Sequence, residues 1–311
     1  MKLILGAKVL VTGASGFIGR HLVERLLKNN FSVIALNKSN TDVLKNFSGD
    51  LKIVKIDITK PFELSDIEQD IDSVIHLAGI VGEGACSKNV RYSYELNVTG
   101  VSNLINCFHG TMLNKFIYLS SVSVYDKSNE SPISEYDKTS NIGIYNSTKL
   151  AAELLVSAYC TKYDISYCIG RATSAYGPYQ LKYSVLSYII LELLKHNKLT
   201  LFNPYDIKDY IYVTDLVEGI ITLLNTKESG LFNISSGQGI QLTKIVKIIA
   251  ELLDKDVVLK AKDDDMARKS QTRQVIDNSK LRNLGWVPIT DIYKGMEETI
   301  NYLKNVKGDI T

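Results

Sequence analysis

Apolar residues in the first half of the chain form short runs separated by stretches of helical periodicity. Six runs rich in β-branched residues each predict a buried strand. They cover residues 9–11, 31–36, 51–56, 73–78, 115–120 and 165–170. Apolar spacing of three and four residues predicts long helices over 91–108 and 145–163, and the polar segment 126–144 predicts a loop beside an active site. This alternation predicts an α/β fold built on a doubly wound parallel sheet.

Three glycines spaced three apart, Gly13, Gly16 and Gly19, follow the first predicted strand directly and precede a helix. One lets the chain turn sharply, one removes a side chain where phosphates approach, and one lets the helix pack closely on the sheet. The partially positive N-terminus of the helix then faces the site where a negatively charged diphosphate could lie. The alternative is an ordinary strand-to-helix turn. In this context the motif predicts a Rossmann-type dinucleotide site.

The pattern changes after Gly177 and Pro178, where helices become dominant and strands short. Helices are predicted over 184–196, 213–225, 242–253 and 292–303, and a short strand over 231–234. We therefore expect a dinucleotide-binding domain over 1–176 and a smaller, mainly helical substrate-binding region over 177–311. Segments of about 208–236 are expected to return to the first domain. A cleft between the two regions is the expected ligand site.

Composition excludes several classes of protein. The 311 residues are 45% hydrophobic and carry a net charge of +2 with both signs interspersed, which argues against nucleic acid or an anionic membrane as partner. No apolar run is long enough to cross a bilayer, and the four cysteines and four histidines show no metal-ligand spacing. We expect a cytoplasmic protein with reduced thiols and no metal.

Tyr145 and Lys149 stand four residues apart on a predicted helix and therefore share one face. Lowering a phenol pKa from ~10 to neutrality requires about 4 kcal/mol. A cation ~6 Å away supplies roughly 2.8 kcal/mol at an effective dielectric constant of ~20. A second positive charge, such as an oxidised nicotinamide ring, would supply the remainder. The pair predicts a tyrosine acid/base; the alternative is a surface pair on a helix.

Ser120 and Ser121 end a predicted strand, at the sheet edge where active-site groups gather. A hydroxyl there can hydrogen-bond an alcohol oxygen and hold it against Tyr145. Serines at strand ends are also common in loops.

Together these segments resemble an extended short-chain dehydrogenase/reductase of the NAD-dependent epimerase/dehydratase family, which acts on nucleotide sugars. The matching segments are 12–19, 57–58, 76–79, 97–100, 120–121, Tyr145 with Lys149, 176–178, 209–213 and 284–288. The resemblance implies that Tyr145 is the general acid/base, that Lys149 tunes it and holds the nicotinamide ribose, and that Ser121 is the hydroxyl paired with it.

The resemblance also implies a set of cofactor contacts, with Asp57 and Ile58 at the adenine and Asn97 next to the cofactor or capping a helical turn. The expected cofactor-binding residues are Gly13, Ser15, Gly16, Phe17, Ile18, Gly19, Asn37, Lys38, Asp57, Ile58, Leu77, Ala78, Gly79, Tyr145 and Lys149.

Two departures from the family pattern carry information. NAD-using members place an acidic residue after the second strand, whereas this chain has Asn37, Lys38 and Ser39, which can donate hydrogen bonds to a 2′-phosphate. NADP(H) is therefore favoured over NAD, unless Lys38 is merely solvated. Dehydratases place an acid after the catalytic hydroxyl, where this chain has Val122 and Ser123, so dehydration is disfavoured.

Substrate contacts are expected from Ser121, Ser123, Lys208 and Arg273, the last two resembling groups that bind a substrate diphosphate. Either cation can equally be a surface charge. The helices over 91–108 and 145–163 resemble the pair through which family members dimerise, so a homodimer is expected, although their apolar faces can instead be internal.

These observations predict hydride transfer at C4, or an adjacent carbon, of a nucleotide-linked hexose. A 4-ketosugar reductase is favoured, and the alternative is a 4-epimerase with tightly bound NAD. A non-catalytic NAD(P)-binding sensor and an enzyme acting on a non-sugar ketone are further alternatives.

Overall fold

The chain forms thirteen strands and eleven α-helices within residues 6–39, 41–128, 130–180 and 184–306, the part described by this computed structural model. The strands are β1 (Lys8–Thr12), β2 (Ser32–Asn37), β3 (Leu51–Lys55), β4 (Ser73–His76), β5 (Lys115–Ser121), β6 (Ser166–Ala172), β7 (Ser174–Tyr176), β8 (Lys198–Leu201), β9 (Ile207–Tyr212), β10 (Gly230–Ile234), β11 (Gly239–Gln241), β12 (Val258–Ala261) and β13 (Arg273–Gln274).

The helices vary widely in length. They are α1 (Phe17–Lys28), α2 (Glu83–Cys86), α3 (Val90–Tyr94), α4 (Gly100–Cys107), α5 (Ile144–Lys162), α6 (Val185–Lys195), α7 (Val213–Asn225), α8 (Leu242–Leu252), α9 (Asp264–Lys269), α10 (Ser279–Arg282) and α11 (Ile292–Asn305). Over the described ranges, we find no helix with the combination of length and apolarity needed to traverse a bilayer.

Seven parallel strands form the central sheet in the order β10-β6-β5-β4-β1-β2-β3. Side chains alternate between its two faces, as the pleat requires. Val9 and Val11 pack in the core on one face with α1 and α7, while Leu10 packs in the core on the other with α4 and α5. The strand order β3-β2-β1-β4-β5-β6 is that of a Rossmann fold, so the predicted fold class is confirmed.

The helix predicted over 91–108 is interrupted. Between α3 and α4 the backbone takes one π-helical segment, Glu95–Thr99, which adds a residue to the turn. Such segments are rare and cluster at functional sites. Apolar periodicity spans the whole stretch and therefore predicted a single regular helix.

The second region contains two small sheets besides its helices. Strands β11, β9 and β13 form one sheet with β7 paired to β9, and β12 pairs with β8 in the other. The sequence pattern predicts mainly helices there, with short strands of which only 231–234 is placed, because the strands of these two sheets have two to six residues and lack clear alternation. Strand β10 pairs with β6 in the central sheet. The division after residue 176 remains a prediction.

Phe232 lies on β10 and is fully buried against α7. Replacing it tests how much the packing of this strand contributes to stability. We expect Phe232→Ala to lower the free energy of unfolding by about 3–5 kcal/mol, because it removes buried surface and leaves a cavity. Phe202→Ala is the matched control: that ring is 70% exposed, and its loss should change the free energy by less than about 1 kcal/mol. Urea unfolding measures both, and equal losses would contradict the assigned packing.

Candidate cofactor and catalytic site

The turn after β1 packs directly against the end of β4. Gly13 has a φ of 67°, and a Cβ there would lie 2.8 Å from the backbone nitrogen of Ala78. A Cβ on Gly19 would lie 2.2 Å from the carbonyl oxygen of Gly13. Side chains are therefore excluded at both positions, and α1 begins close to the sheet.

The Thr12 hydroxyl joins the ends of β1 and β4. Its oxygen accepts hydrogen bonds from the backbone N–H groups of Leu77 and Ala78, both at 3.2 Å, and lies 2.7 Å from Nδ1 of His76. Since the oxygen already accepts two bonds, its hydrogen is donated to Nδ1, which leaves the proton of the neutral ring on Nε2. Burial lowers the pKa of His76 to about 3. The sequence analysis did not single out Thr12.

The start of α1 forms a cradle of backbone donors. Gly16 provides no side-chain cap for this helix, so first-turn N–H groups remain for a ligand. The backbone N–H of Ser15 donates to Oδ1 of Asn37 at 2.8 Å, which orients the Asn37 amide. Nδ2 of Asn37 is buried and has no hydrogen-bond partner among the residues that the structure describes. An orphaned donor beside a glycine-lined cradle fits the diphosphate and ribose of a dinucleotide.

Lys38 is already engaged by another side chain. Its ammonium forms an ion pair with Asp57 at 2.9 Å and lies 5.3 Å from the ring centroid of Tyr92. The hydrogen bond from Lys38 lowers the pKa of Asp57 despite the opposing effect of burial. The Lys38 ammonium, from which a preference for NADP(H) was expected, is therefore already paired with a carboxylate.

The other residues expected at the cofactor differ in what their side chains do. Phe17 and Ile18 pack against the core of the second region, so only their backbone can face the cradle. Ile58 is buried, and a Cβ on Gly100 would lie 3.0 Å from its Cδ1. A Cβ on Gly79 would lie 2.9 Å from Oδ1 of Asn97.

Tyr145 and Ser121 form the pair that the sequence predicts. The Ser121 oxygen accepts the backbone N–H of Ser123 at 3.2 Å. Its hydroxyl lies near enough to the Tyr145 phenol to affect the pKa of that phenol. Burial raises the pKa of Tyr145 to about 12, and the Ser121 hydrogen bond opposes this rise. In the chain alone, desolvation of the phenol dominates, and the acidification expected from Lys149 together with an oxidised nicotinamide stays a prediction for the loaded site.

Lys149 lies one helical turn below Tyr145 and is buried. Its ammonium donates to the carbonyl oxygen of Leu119 at 2.9 Å and lies 4.8 Å from the ring centroid of Tyr118. Burial lowers the pKa of Lys149 to about 8, against an upward effect of Glu153. A Cβ on Gly79 would lie 3.8 Å from its Nζ, so the ammonium borders the glycine-lined crevice.

Asn97 lies in the π-helical segment and connects the loop after β4 to helix α5. Its Oδ1 accepts the Ile80 N–H at 2.8 Å, and its Nδ2 donates to the Ile80 carbonyl and to the Thr148 hydroxyl, at 3.1 and 3.0 Å. Thr148 in turn donates to the Tyr145 carbonyl at 2.8 Å. Asn97 therefore holds the loop after β4 against the catalytic helix and does not cap a helical turn.

A buried ion pair lies beneath Lys149. Glu153 accepts bonds from Arg171 at 2.7 and 3.1 Å and from the Ser120 hydroxyl at 2.5 Å. The pair joins α5 to β5 and β6. In the sequence, Glu153 follows Lys149 by four residues, as Lys149 follows Tyr145, so all three share one helix face. This spacing is a signal from which the role of Glu153 was not predicted.

The predicted substrate contacts lie in two places. The Ser123 hydroxyl is buried and has no hydrogen-bond partner within the described part of the chain. It lies beside Val122, whose carbonyl oxygen accepts a hydrogen bond from Gln274 at 3.4 Å. In the pairing of β13 with β9, Gln274 lies opposite Lys208 and Arg273 opposite Ile207. Neighbouring positions on a strand point to opposite faces, so Lys208 and Arg273 do not form one cluster.

Comparisons with known proteins agree with this geometry. A family model described as "NAD dependent epimerase/dehydratase family" matches residues 9–235. A putative UDP-glucose 4-epimerase of Methanocaldococcus jannaschii is 28% identical over 96% of this chain and 98% of its own length. The dTDP-D-glucose 4,6-dehydratase of Homo sapiens is 27% identical over 96% and 90%. The structure of UDP-glucuronic acid 4-epimerase from Bacillus cereus with UDP-glucuronic acid and NAD superposes with a TM-score of 0.87, at 26% identity over 96% and 99%.

The buried His76 makes stability depend on pH. Its pKa is about 3 in the folded chain against 6.5 for an exposed histidine, so the unfolded state binds the proton first as pH falls. Between pH 7 and pH 5 the free energy of unfolding should fall by about 2 kcal/mol from this group. Urea unfolding at several pH values measures the slope.

His76→Asn, which keeps an acceptor for Thr12, should flatten that slope by the same amount whatever its effect on absolute stability. The control His109→Asn changes an exposed histidine and should leave the slope as it is. An unchanged slope in His76→Asn would contradict the neutral, buried state of this ring.

Proposed function

The chain belongs to the NAD-dependent epimerase/dehydratase family, and from this premise we propose that it is an NAD-dependent UDP-sugar 4-epimerase. The observation that carries the proposal is the buried Tyr145 phenol next to the Ser121 hydroxyl, with the buried Lys149 ammonium at the edge of the glycine-lined cradle. When bound, the nicotinamide cofactor supplies the hydride acceptor and, in its oxidised form, a positive charge.

The protein's own part in the reaction is proton transfer and positioning. Tyr145 takes the proton of the sugar hydroxyl at C4 as that carbon is oxidised, and returns a proton to the same oxygen as the carbon is reduced on its other face. Ser121 donates to the oxygen that Tyr145 deprotonates. Lowering the phenol pKa from about 12 to neutrality requires about 7 kcal/mol of stabilisation of the phenolate. Cations and hydrogen bonds at the loaded site have to supply it.

Three observations favour an epimerase over the reductase and the dehydratase. Relatives over nearly the whole chain include proteins named as UDP-sugar 4-epimerases. Val122, which follows Ser121, carries no acid for dehydration. A 4-ketosugar reductase, the function favoured by the sequence, has to exchange NADP(H) in every turnover. The Lys38 side chain that supported NADP(H) is instead ion-paired with Asp57.

We propose that Lys208 contacts the substrate's diphosphate. It lies on β9 opposite Gln274 of β13, and the two side chains share one face of that sheet. Arg273 lies on the other face and is the weaker candidate. We also propose a homodimer through α3 and α5, because Val90, Tyr94 and Leu154 present exposed apolar surface on these helices.

Tyr145→Phe tests the function directly. Wild-type protein, with no cofactor added beyond what it carries, should interconvert UDP-glucose and UDP-galactose, or another UDP-hexose and its 4-epimer, without net NADH formation. Tyr145→Phe should lower kcat by about 10²–10⁴-fold, because it removes the acid/base, while NAD and UDP-sugar binding persist. Product analysis by NMR and calorimetric binding measure these quantities.

Tyr163→Phe is the matched control at the other end of α5 and should keep wild-type turnover. Unchanged turnover in Tyr145→Phe would contradict the proposed mechanism, and cofactor binding without any turnover would favour a sensor. NADPH-dependent reduction of a 4-ketosugar without epimerisation would favour the reductase. Oxidation of simple alcohols in place of sugars would favour an enzyme for non-sugar ketones.

Lys38→Ala tests the choice of cofactor. Because Asp57 already neutralises Lys38, we expect the ratio of the dissociation constants for NAD and NADP to change less than about threefold, and NAD to remain preferred. Fluorescence titration with each dinucleotide measures the ratio. A tenfold or greater loss of NADP affinity, with NAD affinity unchanged, would identify Lys38 as a phosphate ligand.

A further inference from the structure

The catalytic helix α5 receives its N-terminal cap from another part of the chain. Its N-cap residue, Gly143, has a φ of 97° and no side chain to cap with, and the first turn contains no acidic residue. Glu83, on α2, supplies a carboxylate instead. Its Oε1 accepts the Ile144 N–H and its Oε2 accepts the Tyr145 N–H, both at 3.0 Å.

The carboxylate of Glu83 is oriented as well as attached. The Ser87 hydroxyl donates to Oε1 at 2.7 Å. A Cβ at Gly143 would lie 2.5 Å from Oε2, so the absence of a side chain there is what admits the carboxylate. The bonds from Ser87, Tyr145 and Ile144 hold the pKa of Glu83 below its ordinary range, so it stays charged at the positive end of the helix.

The same segment is attached to α5 a second time. Thr148 donates to the Tyr145 carbonyl, and Asn97 bridges Thr148 to both backbone groups of Ile80. The backbone N–H and C=O of Tyr145 are therefore each bonded to a side chain. The segment that begins at Ile80 is therefore attached to the helix at Glu83 directly and at Ile80 through Asn97.

We propose that Glu83 is a positioning residue, which holds the first turn of α5 so that the phenol of Tyr145 meets Ser121 and the reacting hydroxyl. This inference rests on the proposed role of Tyr145 as acid/base. A displacement of about 1 Å at a reacting group lowers rates by about two orders of magnitude, so loss of the carboxylate acts on turnover more than on binding.

Glu83→Ala and Glu83→Gln, made in the full-length protein, test this role. Glu83→Ala should lower kcat for UDP-glucose by about 10- to 100-fold with KM within about threefold of wild type. Glu83→Gln keeps one carbonyl oxygen as acceptor and should recover part of the lost kcat. Hydrogen–deuterium exchange of the amides of Ile144 and Tyr145 should become faster in the alanine variant and less so in the glutamine variant.

Asp291→Ala is the matched control, since Asp291 caps α11 by accepting the Lys294 N–H at 3.0 Å. It removes an equivalent carboxylate and should lower the unfolding midpoint, yet leave kcat within twofold and the exchange of Ile144 and Tyr145 unchanged. NAD affinity, measured by calorimetry, should be that of wild type in all three variants.

A Glu83→Ala protein with kcat within twofold of wild type, or with an increase in KM alone, would overturn the inference. So would unchanged exchange at Ile144 and Tyr145, which is measured without substrate. Wild-type protein inactive on every UDP-sugar tested would contradict the proposed function instead, and the exchange data would then decide the attachment of α5 by themselves.

Discussion

The structure depends on how closely the turn after β1 approaches the sheet and its own helix. At Gly13 and Gly19 even a methyl group would overlap backbone atoms, at 2.8 and 2.2 Å. The Thr12 hydroxyl then bonds the two amides that follow β4, so the ends of β1 and β4 meet at one point. With the two strands joined there, the start of α1, the Asn37 amide and the Gly79 edge surround a single crevice. The shape of this crevice is thus set by backbone packing at its glycines.

The catalytic side of the crevice is organised along one face of α5. Tyr145, Lys149 and Glu153 stand a turn apart and meet, in order, a hydroxyl, a carbonyl and a buried guanidinium. Burial of the first two moves their pKa values in the direction that disfavours charge, to about 12 and about 8. In the chain alone, Tyr145 therefore stays protonated at neutral pH. Its proposed role as a base depends on charge that arrives with the ligands.

Much of this arrangement follows from local sequence pattern. Strand β1, the glycine turn and α1 were predictable because periodicity and backbone freedom are properties of adjacent residues. The spacing of Tyr145 and Lys149 likewise fixes a shared helix face. The π-helical segment at Asn97 was not predictable, because its extra residue is stabilised by contacts with Ile80 and Thr148, far away in sequence. The partnership of Lys38 with Asp57 and the attachment of Glu83 to Tyr145 also arise only from the folded chain. The sequence shows a cation near the phenol but not how deeply the phenol is buried, so a pKa of about 12 in the chain alone could not be predicted.

The placement of β10 also affects how the chain can assemble. The polypeptide leaves the central sheet after β6, builds β7, α6, β8, β9 and α7, and only then returns to lay β10 along β6. A ribosome has to synthesise some sixty further residues before that partner of β6 exists. Until then β6 presents an unpaired edge, the kind of surface on which nascent chains associate with one another. Severing the chain near residue 177 would make that exposed edge permanent, so the dinucleotide-binding half should be prone to aggregation when produced by itself.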